Sequence, residues 1–312
     1  MPGFVTHYLA GVNAFRLLHN PALKKIIKNN KDAYSLGLQG PDLFFYFLPC
    51  SAGIGPNIAD IMHKQNTGLF FEKLLETVDS YAGTDEFNTA ASYCLGYMGH
   101  YLLDTGMHPY VYSQIGTSAS NRTLGVHFGL ESDIDRILLW HYKHKKPAQF
   151  LHSSVIKLTT REKQIISGLL CRAIYAAYNI RLPEWYVRLA MVCFYAETKL
   201  LLDPHCRKHR FISFLEQKTA GCNIISPLLI NDIKHCHDAC NLSHSCWYNP
   251  FGPKIIRNDS VFDIFKESTQ KYASYMNIMY KALLNHSYDE ILNLLGNNSY
   301  NSGIDCTIRL KR

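Results

Sequence analysis

Apolar residues recur every three to four positions over most of this chain, which is the spacing of one face of an α-helix. Such periodicity, or continuous burial over lengths that no strand needs, predicts helix in the windows 58–82, 86–104, 158–178 and 183–203. Thr159 or Thr160 with Glu162 shortly after predicts a helix start, and Pro183 is predicted in the first turn of its helix. Alternating strand patterns with tight turns are absent. The pattern therefore predicts an all-α fold.

Three segments interrupt the helical pattern, at residues 37–57, 109–125 and 244–254. Each is rich in Gly, Pro, Ser or Asn, which are typical of loops. No internal repeat is evident, and the composition shift near residue 147 is weak. We therefore predict a single multi-helix domain.

Composition describes an ordinary globular protein, since 47% of the 312 residues are hydrophobic and 18% are charged. The formal net charge of +7 is spread over short clusters and does not form a stripe suited to nucleic acid. The 15 histidines are more than a chain of this length usually carries, and they favour metal chemistry.

The amino-terminal sequence lacks the features of a signal peptide, because Thr6, His7 and Asn13 interrupt its apolar residues and no small-residue cleavage site follows. No window reaches the roughly 18 apolar residues that a transmembrane helix needs. Ten cysteines without an export signal are most simply reduced thiols. We expect a cytoplasmic protein without a transmembrane segment, for which transient membrane contact is possible.

The candidate chemistry lies in GHYLLDTGMHPY, where His100, Asp104 and His108 follow one another at intervals of four. Residues four apart are neighbours on a helix surface, so they can share a cation. Such a triplet alone is more often a set of buried polar residues. The first 131 residues, however, supply five histidines and three carboxylates in all: His7, Asp42, His63, His100, Asp104, His108, His127 and Glu131. Imidazole and carboxylate are the ligands of catalytic zinc, and this number suits two or three ions.

The order of these residues resembles the zinc-dependent phospholipase C family, which includes the amino-terminal domain of glycosylphosphatidylinositol-specific phospholipase D. In that family an early histidine precedes a loop aspartate, a histidine that opens a helix, an H-x-x-x-D helix ending in a histidine, and H-x-x-x-E. Here HYLLD at 100–104 and HFGLE at 127–131 match the two motifs. MPGFVTHYLAG and LGLQGPDLFFY also resemble its intracellular, unsecreted members. The resemblance covers roughly residues 1–140, and single-strand-specific zinc nucleases are more distant relatives.

The resemblance implies an all-α domain of the phospholipase C and zinc-nuclease type, with a multinuclear metal cleft. It assigns the ligands to three zinc sites: Asp42, His63, His100 and Asp104; His108, His127 and Glu131; and His7 with a bridging Asp104. By the same resemblance, Asp42 would double as the general base if one of its oxygens stays free. Helical spacing, independently of the resemblance, places Asp135 on the face of His127 and Glu131, where we expect it to hydrogen-bond a ligand histidine. Secreted members complete the third site with an amino-terminal tryptophan. This sequence lacks that tryptophan, although removal of Met1 would expose the amine of Pro2.

The predicted organisation is a metal-binding core at 1–145, a helical continuation packed on the same domain at 146–300, and a tail at 301–312. The predicted function is a zinc-dependent phosphodiester hydrolase that uses metal-activated water on a phospholipid or related phosphodiester. A zinc nuclease or nucleotide phosphodiesterase, and a non-catalytic metal-binding or lipid-sensing protein, remain alternatives. Nucleic acid is the less favoured substrate. Loops 43–57 and 109–125 would set specificity.

Two further features leave their roles open. The aromatic run at 43–47 is equally compatible with a plain core and with the apolar wall of a lipid or base pocket. The histidines and cysteines at 235–246 do not have the spacing of a zinc finger, which favours structural thiols and ordinary histidines. His244 and Trp247 could instead fold back over the active site.

Overall fold

The computed structural model describes residues 3–47 and 57–308, and regular structure in those ranges is helical apart from isolated β-bridges. The α-helices are α1 (Phe4–Leu17), α2 (Pro21–Asn29), α3 (Lys31–Gly37), α4 (Ile58–Lys64), α5 (Thr67–Asp79), α6 (Phe87–Ile115), α7 (Asn121–Lys143), α8 (Thr160–Tyr178), α9 (Glu184–Leu200), α10 (Arg207–Thr219), α11 (Val261–Asn285) and α12 (Asp289–Leu295). Short 3-10 helices lie at Gly40–Phe44, Pro147–Gln149, His152–Ser154 and Ser226–Leu228. The prediction of an all-α fold is confirmed.

The predicted start of α8 is formed by a reciprocal cap. The Thr159 hydroxyl accepts the amide of Glu162 at 3.2 Å, and the Glu162 carboxylate accepts the amide of Thr159 at 2.7 Å. Two orphan amides of the first turn are thereby satisfied. Helix α9 begins at Glu184, with Pro183 as the capping residue immediately before it.

Two predicted boundaries differ from the structure. The window 58–82 contains two helices, because Asn66 adopts a left-handed conformation (φ 49°) between them. The break predicted at residue 109 is wrong, since α6 runs through Pro109 to Ile115. Proline removes a single main-chain hydrogen bond. The fully buried residues Met107, Tyr110 and Val111 hold the helix together on both sides of it.

Helix α6 lies at the centre of the molecule, and α3 crosses it in backbone contact. A Cβ at Gly37 would lie 2.2 Å from the Tyr93 carbonyl oxygen, and a Cβ at Gly96 would lie 2.2 Å from the Tyr34 carbonyl oxygen. Only glycine permits this approach on both sides. Because the two helices cross so closely, the residues that follow α3 lie beside α6.

Helix α11 covers another side of α6 through a similarly close contact. The Tyr272 hydroxyl donates to the Leu95 carbonyl at 2.9 Å, and a Cβ at Gly99 would lie 2.3 Å from the Tyr272 ring. After α12 the chain returns to α4, where the Tyr300 amide donates to the His63 carbonyl at 2.9 Å. None of the described helices has an apolar stretch long enough to cross a bilayer.

Candidate metal centre

Five helical elements bring the predicted ligands together. Helix α1 supplies His7, the 3-10 turn after α3 supplies Asp42, α4 supplies His63, α6 supplies His100, Asp104 and His108, and α7 supplies His127 and Glu131. Each of these residues is buried, with no more than 8% of its surface exposed. Three groups among them have ligand atoms within 4.8 Å of one another: His7–Asp42–His100, His63–His100–Asp104 and His108–His127–Glu131.

Asp104 and Asp42 organise the larger part of the cluster. Asp104 Oδ2 lies 3.1 Å from His100 Nε2, and Asp104 Oδ1 lies 3.2 Å from His7 Nε2. Asp42 Oδ1 lies 3.2 Å from His63 Nε2 and 3.5 Å from His100 Nε2. The two oxygens of Asp104 therefore face different histidines, which is the arrangement that a bridging carboxylate requires.

The smaller part joins α6 to α7. Glu131 Oε1 lies 2.7 Å from His127 Nε2 and 3.7 Å from His108 Nε2. On its other side, His108 Nδ1 lies 3.9 Å from Asp104 Oδ2. His108 thus stands between the two parts, one helical turn from Asp104.

Main-chain carbonyls orient three of the imidazoles through their Nδ1 atoms. The pairs are His63 Nδ1 with Ala59 O at 2.6 Å, His100 Nδ1 with Leu38 O at 3.2 Å, and His108 Nδ1 with Tyr300 O at 2.8 Å. A carbonyl oxygen can only accept, so Nδ1 carries the proton and Nε2 keeps its lone pair. These bonds direct each Nε2 into the cluster, as outer hydrogen bonds do for metal-binding histidines.

Tyr300 belongs to this site and was missed by the sequence analysis. Its ring is fully buried, 5.0 Å from the ring of His63 and 5.8 Å from that of His100. Its amide and carbonyl hold His63 and His108 respectively. A main-chain carbonyl gives no signal in the sequence, because any residue can supply one.

Gly40 explains how Asp42 reaches α6. The residue has φ +50°, and a Cβ there would lie 2.3 Å from the His100 ring. Glycine is therefore required both by its conformation and by the lack of space. The glycine is visible in the sequence, two residues before Asp42, and is the local signal that the turn approaches another element closely.

The buried polar atoms of the cluster fit a metal site. Among the described residues, the buried side-chain atoms without a hydrogen-bond partner include seven imidazole and carboxylate atoms grouped here: His7 Nε2, Asp42 Oδ1, His63 Nε2, His100 Nε2, Asp104 Oδ1 and Oδ2, and His108 Nε2. Buried polar atoms are normally satisfied, and each exception needs an explanation. Coordination of zinc by this donor set would satisfy them.

The electrostatics of four of the side chains favour the protonation states that zinc needs, whereas the carboxylates of Asp104 and Asp42 outweigh burial and raise the pKa of His100. Burial lowers the pKa of His7, and lowers those of His108 and His127 strongly. Burial would raise the pKa of Asp104, but the imidazoles around it, led by His100, hold that pKa well below its usual range. Neutral imidazoles and an ionised carboxylate are the forms that bind a cation.

Asp135 supports the cluster through the main chain of α1. Its carboxylate accepts the amides of Val5 at 3.0 Å and Thr6 at 2.8 Å, and the Thr6 hydroxyl at 2.6 Å. These bonds cap the helix start next to His7, whereas the sequence analysis expected a bond to a ligand histidine. Burial nevertheless raises the pKa of Asp135 to about 6.

The 235–246 segment plays a structural part. The amides of His235 and Cys236 donate to the Asp133 carboxylate at 2.8 and 2.6 Å. His244 is exposed, and Trp247 packs against Tyr110 at a ring separation of 5.5 Å. The contacts that the structure gives them include Asn258 for His244, and Tyr110 and Asp259 for Trp247.

The segment that follows does reach the cluster. The Phe251 ring lies 5.0 Å from that of Tyr112, which in turn lies 5.4 Å from the His127 ring. The interruption predicted at 244–254 is irregular, as expected. Tyr112 lies in the segment predicted as loop 109–125, but that segment is helical up to Ile115.

The aromatic run at 43–47 divides between two environments. Leu43, Phe44 and Phe47 are buried in the core. Phe45 and Tyr46 are partly exposed, and the Phe45 ring lies 5.3 Å from that of His63. The rest of the predicted specificity loop, residues 48–56, lies outside the described residues.

One comparison with known proteins bears on this geometry. The model of the zinc-dependent phospholipase C family matches residues 6–177, which is more than half of the chain. No curated protein and no solved structure matches the chain. The matched residues contain all eight side chains of the cluster.

Proposed function

Since the chain belongs to the zinc-dependent phospholipase C family, we propose that it is a phospholipase C-like hydrolase of phosphodiesters. Its proposed substrate is a phospholipid or a chemically similar phosphodiester. The observation that supports this most directly is the convergence of eight buried imidazoles and carboxylates, several of whose atoms lack hydrogen-bond partners. A predominantly structural role would leave those atoms unsatisfied at a considerable cost.

We assign the side chains to three zinc sites. His63, His100, Asp42 and Asp104 would hold the first ion, and His108, His127 and Glu131 would hold the second. His7 and Asp104 would hold the third. Bound zinc would lower the pKa of a water for use as the nucleophile and would supply positive charge to neutralise the phosphate.

The protein side chains then carry out orientation and proton transfer. Asp42 Oδ1 faces the imidazoles of His63 and His100 within 3.5 Å and would be taken up by the metal. We propose that the other oxygen of Asp42 acts as the general base. Asp42 is 5% exposed, so a proton that it accepts is sheltered from bulk water. Asp135 holds the start of α1 and thereby fixes the position of His7.

A partly exposed aromatic border supports a substrate with an apolar portion. Phe45 lies beside His63, while Tyr112 and Phe251 extend from His127. Such rings suit the glycerol and acyl part of a lipid, but they would equally stack on bases, which keeps a nuclease as the second candidate. The cytoplasmic location also stays a proposal.

The test is a panel of substrates with the purified, zinc-loaded protein. We expect release of phosphorylated headgroup from phospholipid vesicles, cleavage of an aryl phosphodiester, and loss of both upon chelation. His127→Ala should abolish both activities, whereas His141→Ala, at an exposed position of the same helix, should abolish neither. Cleavage of single-stranded DNA or RNA with no action on lipid would favour the nuclease. Bound zinc without action on any phosphodiester would favour a non-catalytic protein.

A further inference from the structure

Helix α10 (Arg207–Thr219) has no buried residue, although it carries large apolar side chains. Phe211 is 65% exposed, Phe214 55% and Leu215 43%. Residues three and four apart share one face of a helix, so these three side chains form a single apolar surface. We call this the α10 face.

The exposure of the α10 face does not result from a loosely attached helix. The Asp203 carboxylate accepts the amides of Arg207 and His209 at 3.0 and 2.8 Å and so caps the first turn. Near the other end, Glu216 accepts the amides of Ile224 and Ile225 at 3.1 and 2.5 Å. Both ends of α10 are therefore held by the residues that flank it, and the His209 ring lies 6.1 Å from that of His235, while the α10 face stays exposed.

Cations surround the α10 face. Arg207 and Arg210 are exposed near its amino-terminal end, and the ammonium of Lys218 lies 4.3 Å from the centre of the Phe214 ring. The one carboxylate of the helix, Glu216, is engaged by main-chain amides on the inward side. Aromatic and aliphatic side chains bordered by Lys and Arg are typical of helices that lie in the interface of an anionic membrane.

The chain after α10 connects this surface to the metal centre. The main chain of Asn223 packs so closely on Gly125 of α7 that a Cβ added at Gly125 would lie 1.7 Å from the Asn223 carbonyl oxygen. Gly125 is two residues before His127. On either side of that contact, Leu124 is 43% exposed and Val126 47%. The segment that follows the α10 face is thus in direct contact with the helix that carries His127 and Glu131.

We propose that the α10 face docks the protein on an anionic lipid surface, with Phe211, Phe214 and Leu215 inserted between headgroups. The charges favour lipid over a second copy of the chain, because pairing two α10 faces would oppose like cations. The proposal adds a membrane partner to the proposed function. Vesicle binding is measured separately from headgroup release, so either proposal can fail while the other stands.

The experiment is co-sedimentation of the zinc-loaded protein with two kinds of vesicle, one of phosphatidylcholine and one of phosphatidylcholine with phosphatidylserine. Binding to the serine-containing vesicles should be stronger and should weaken with salt. Phe211→Ala with Phe214→Ala should lower affinity by about tenfold or more, since each ring loses burial in the interface. Arg207→Gln with Arg210→Gln should lower it by roughly twentyfold on anionic vesicles, at about fivefold per charge.

Controls separate this site from other surfaces and from misfolding. Trp185→Ala removes a side chain that is 59% exposed on α9, and it should leave vesicle binding unchanged. All variants should keep the parent zinc content and the parent rate on a water-soluble aryl phosphodiester. Vesicle binding that is indifferent to the α10 substitutions would overturn the proposal. The proposal would also be overturned if the protein formed a dimer in the absence of lipid and Phe211→Ala with Phe214→Ala dissociated that dimer.

Discussion

Replacement of Asp104 by asparagine tests the cluster with little change in shape. The Asp104 side chain is fully buried, and its two oxygens face His100 and His7 at 3.1 and 3.2 Å. An amide has nearly the same volume but no negative charge, so Asp104→Asn should weaken the zinc sites that share this residue. Asp60→Asn is the matched control, because the Asp60 side chain is 46% exposed on the helix of His63 and its ion pair is with Lys64.

The expected magnitude follows from linkage between zinc binding and folding. With free zinc a thousandfold above the dissociation constant, one lost site lowers the free energy of unfolding by about 4 kcal/mol. For a chain of this size that corresponds to a fall in Tm of about 6 °C. The exposed control should change stability by less than about 0.5 kcal/mol.

Chelation should reduce the difference between parent and Asp104→Asn, because the part that comes from bound zinc is lost. The difference that remains reflects the imidazoles around Asp104, which hold its pKa well below its usual range and so stabilise its charge. The assay is thermal unfolding with zinc and with chelator, together with elemental analysis. Asp104→Asn should retain zinc at most in the site formed on His108. An unchanged zinc content and equal Tm values in both conditions would refute the reasoning.

Three further predictions concern the turn, the second site and a buried histidine. Gly40→Ala should lower both zinc content and stability, because the added Cβ would meet the His100 ring. Gly83→Ala is the control, since Gly83 also has a positive φ but no atom lies within 4 Å of its Cβ position. That variant should lose stability through backbone strain alone. Glu131→Gln should remove one zinc and reduce kcat on an aryl phosphodiester by at least about a hundredfold. A kcat like that of the parent would argue against a zinc site at His108, His127 and Glu131. Burial lowers the pKa of His152 to about 3. Below about pH 6.5 this histidine is therefore protonated in the unfolded chain but not in the folded one. As the pH is lowered from 6.5, the free energy of unfolding should fall by about 1.4 kcal/mol per pH unit. The His152→Gln variant should lack that part of the pH dependence in chelator, and identical slopes for the two proteins would contradict the assignment.

The side chains of the candidate site could be predicted from the sequence because their chemistry is distinctive and local. His100, Asp104 and His108 repeat at the helical period, and His127 with Glu131 repeats it on a second helix. The structure brings these residues together, while their role as zinc ligands stays a prediction. The all-α fold followed from equally local apolar periodicity.

Non-local features were the ones that sequence reasoning missed. The carbonyls of Leu38 and Tyr300 orient His100 and His108 across 62 and 192 residues of chain, and every residue type offers such a carbonyl. The continuation of α6 through Pro109 reflects tertiary burial that outweighs a local preference. The α10 face was not predicted either, because apolar periodicity does not reveal which face lacks a partner.

Anomalous X-ray scattering from crystals of the purified protein, recorded above and below the zinc absorption edge, tests the central claim most directly. The account predicts two or three zinc peaks within coordination distance, about 2.0–2.2 Å, of the predicted imidazoles and carboxylates. One peak should lie among His108, His127 and Glu131, and one beside Asp104. Zinc-supplemented crystals without an anomalous peak in this cluster would contradict the claim that it is a zinc centre.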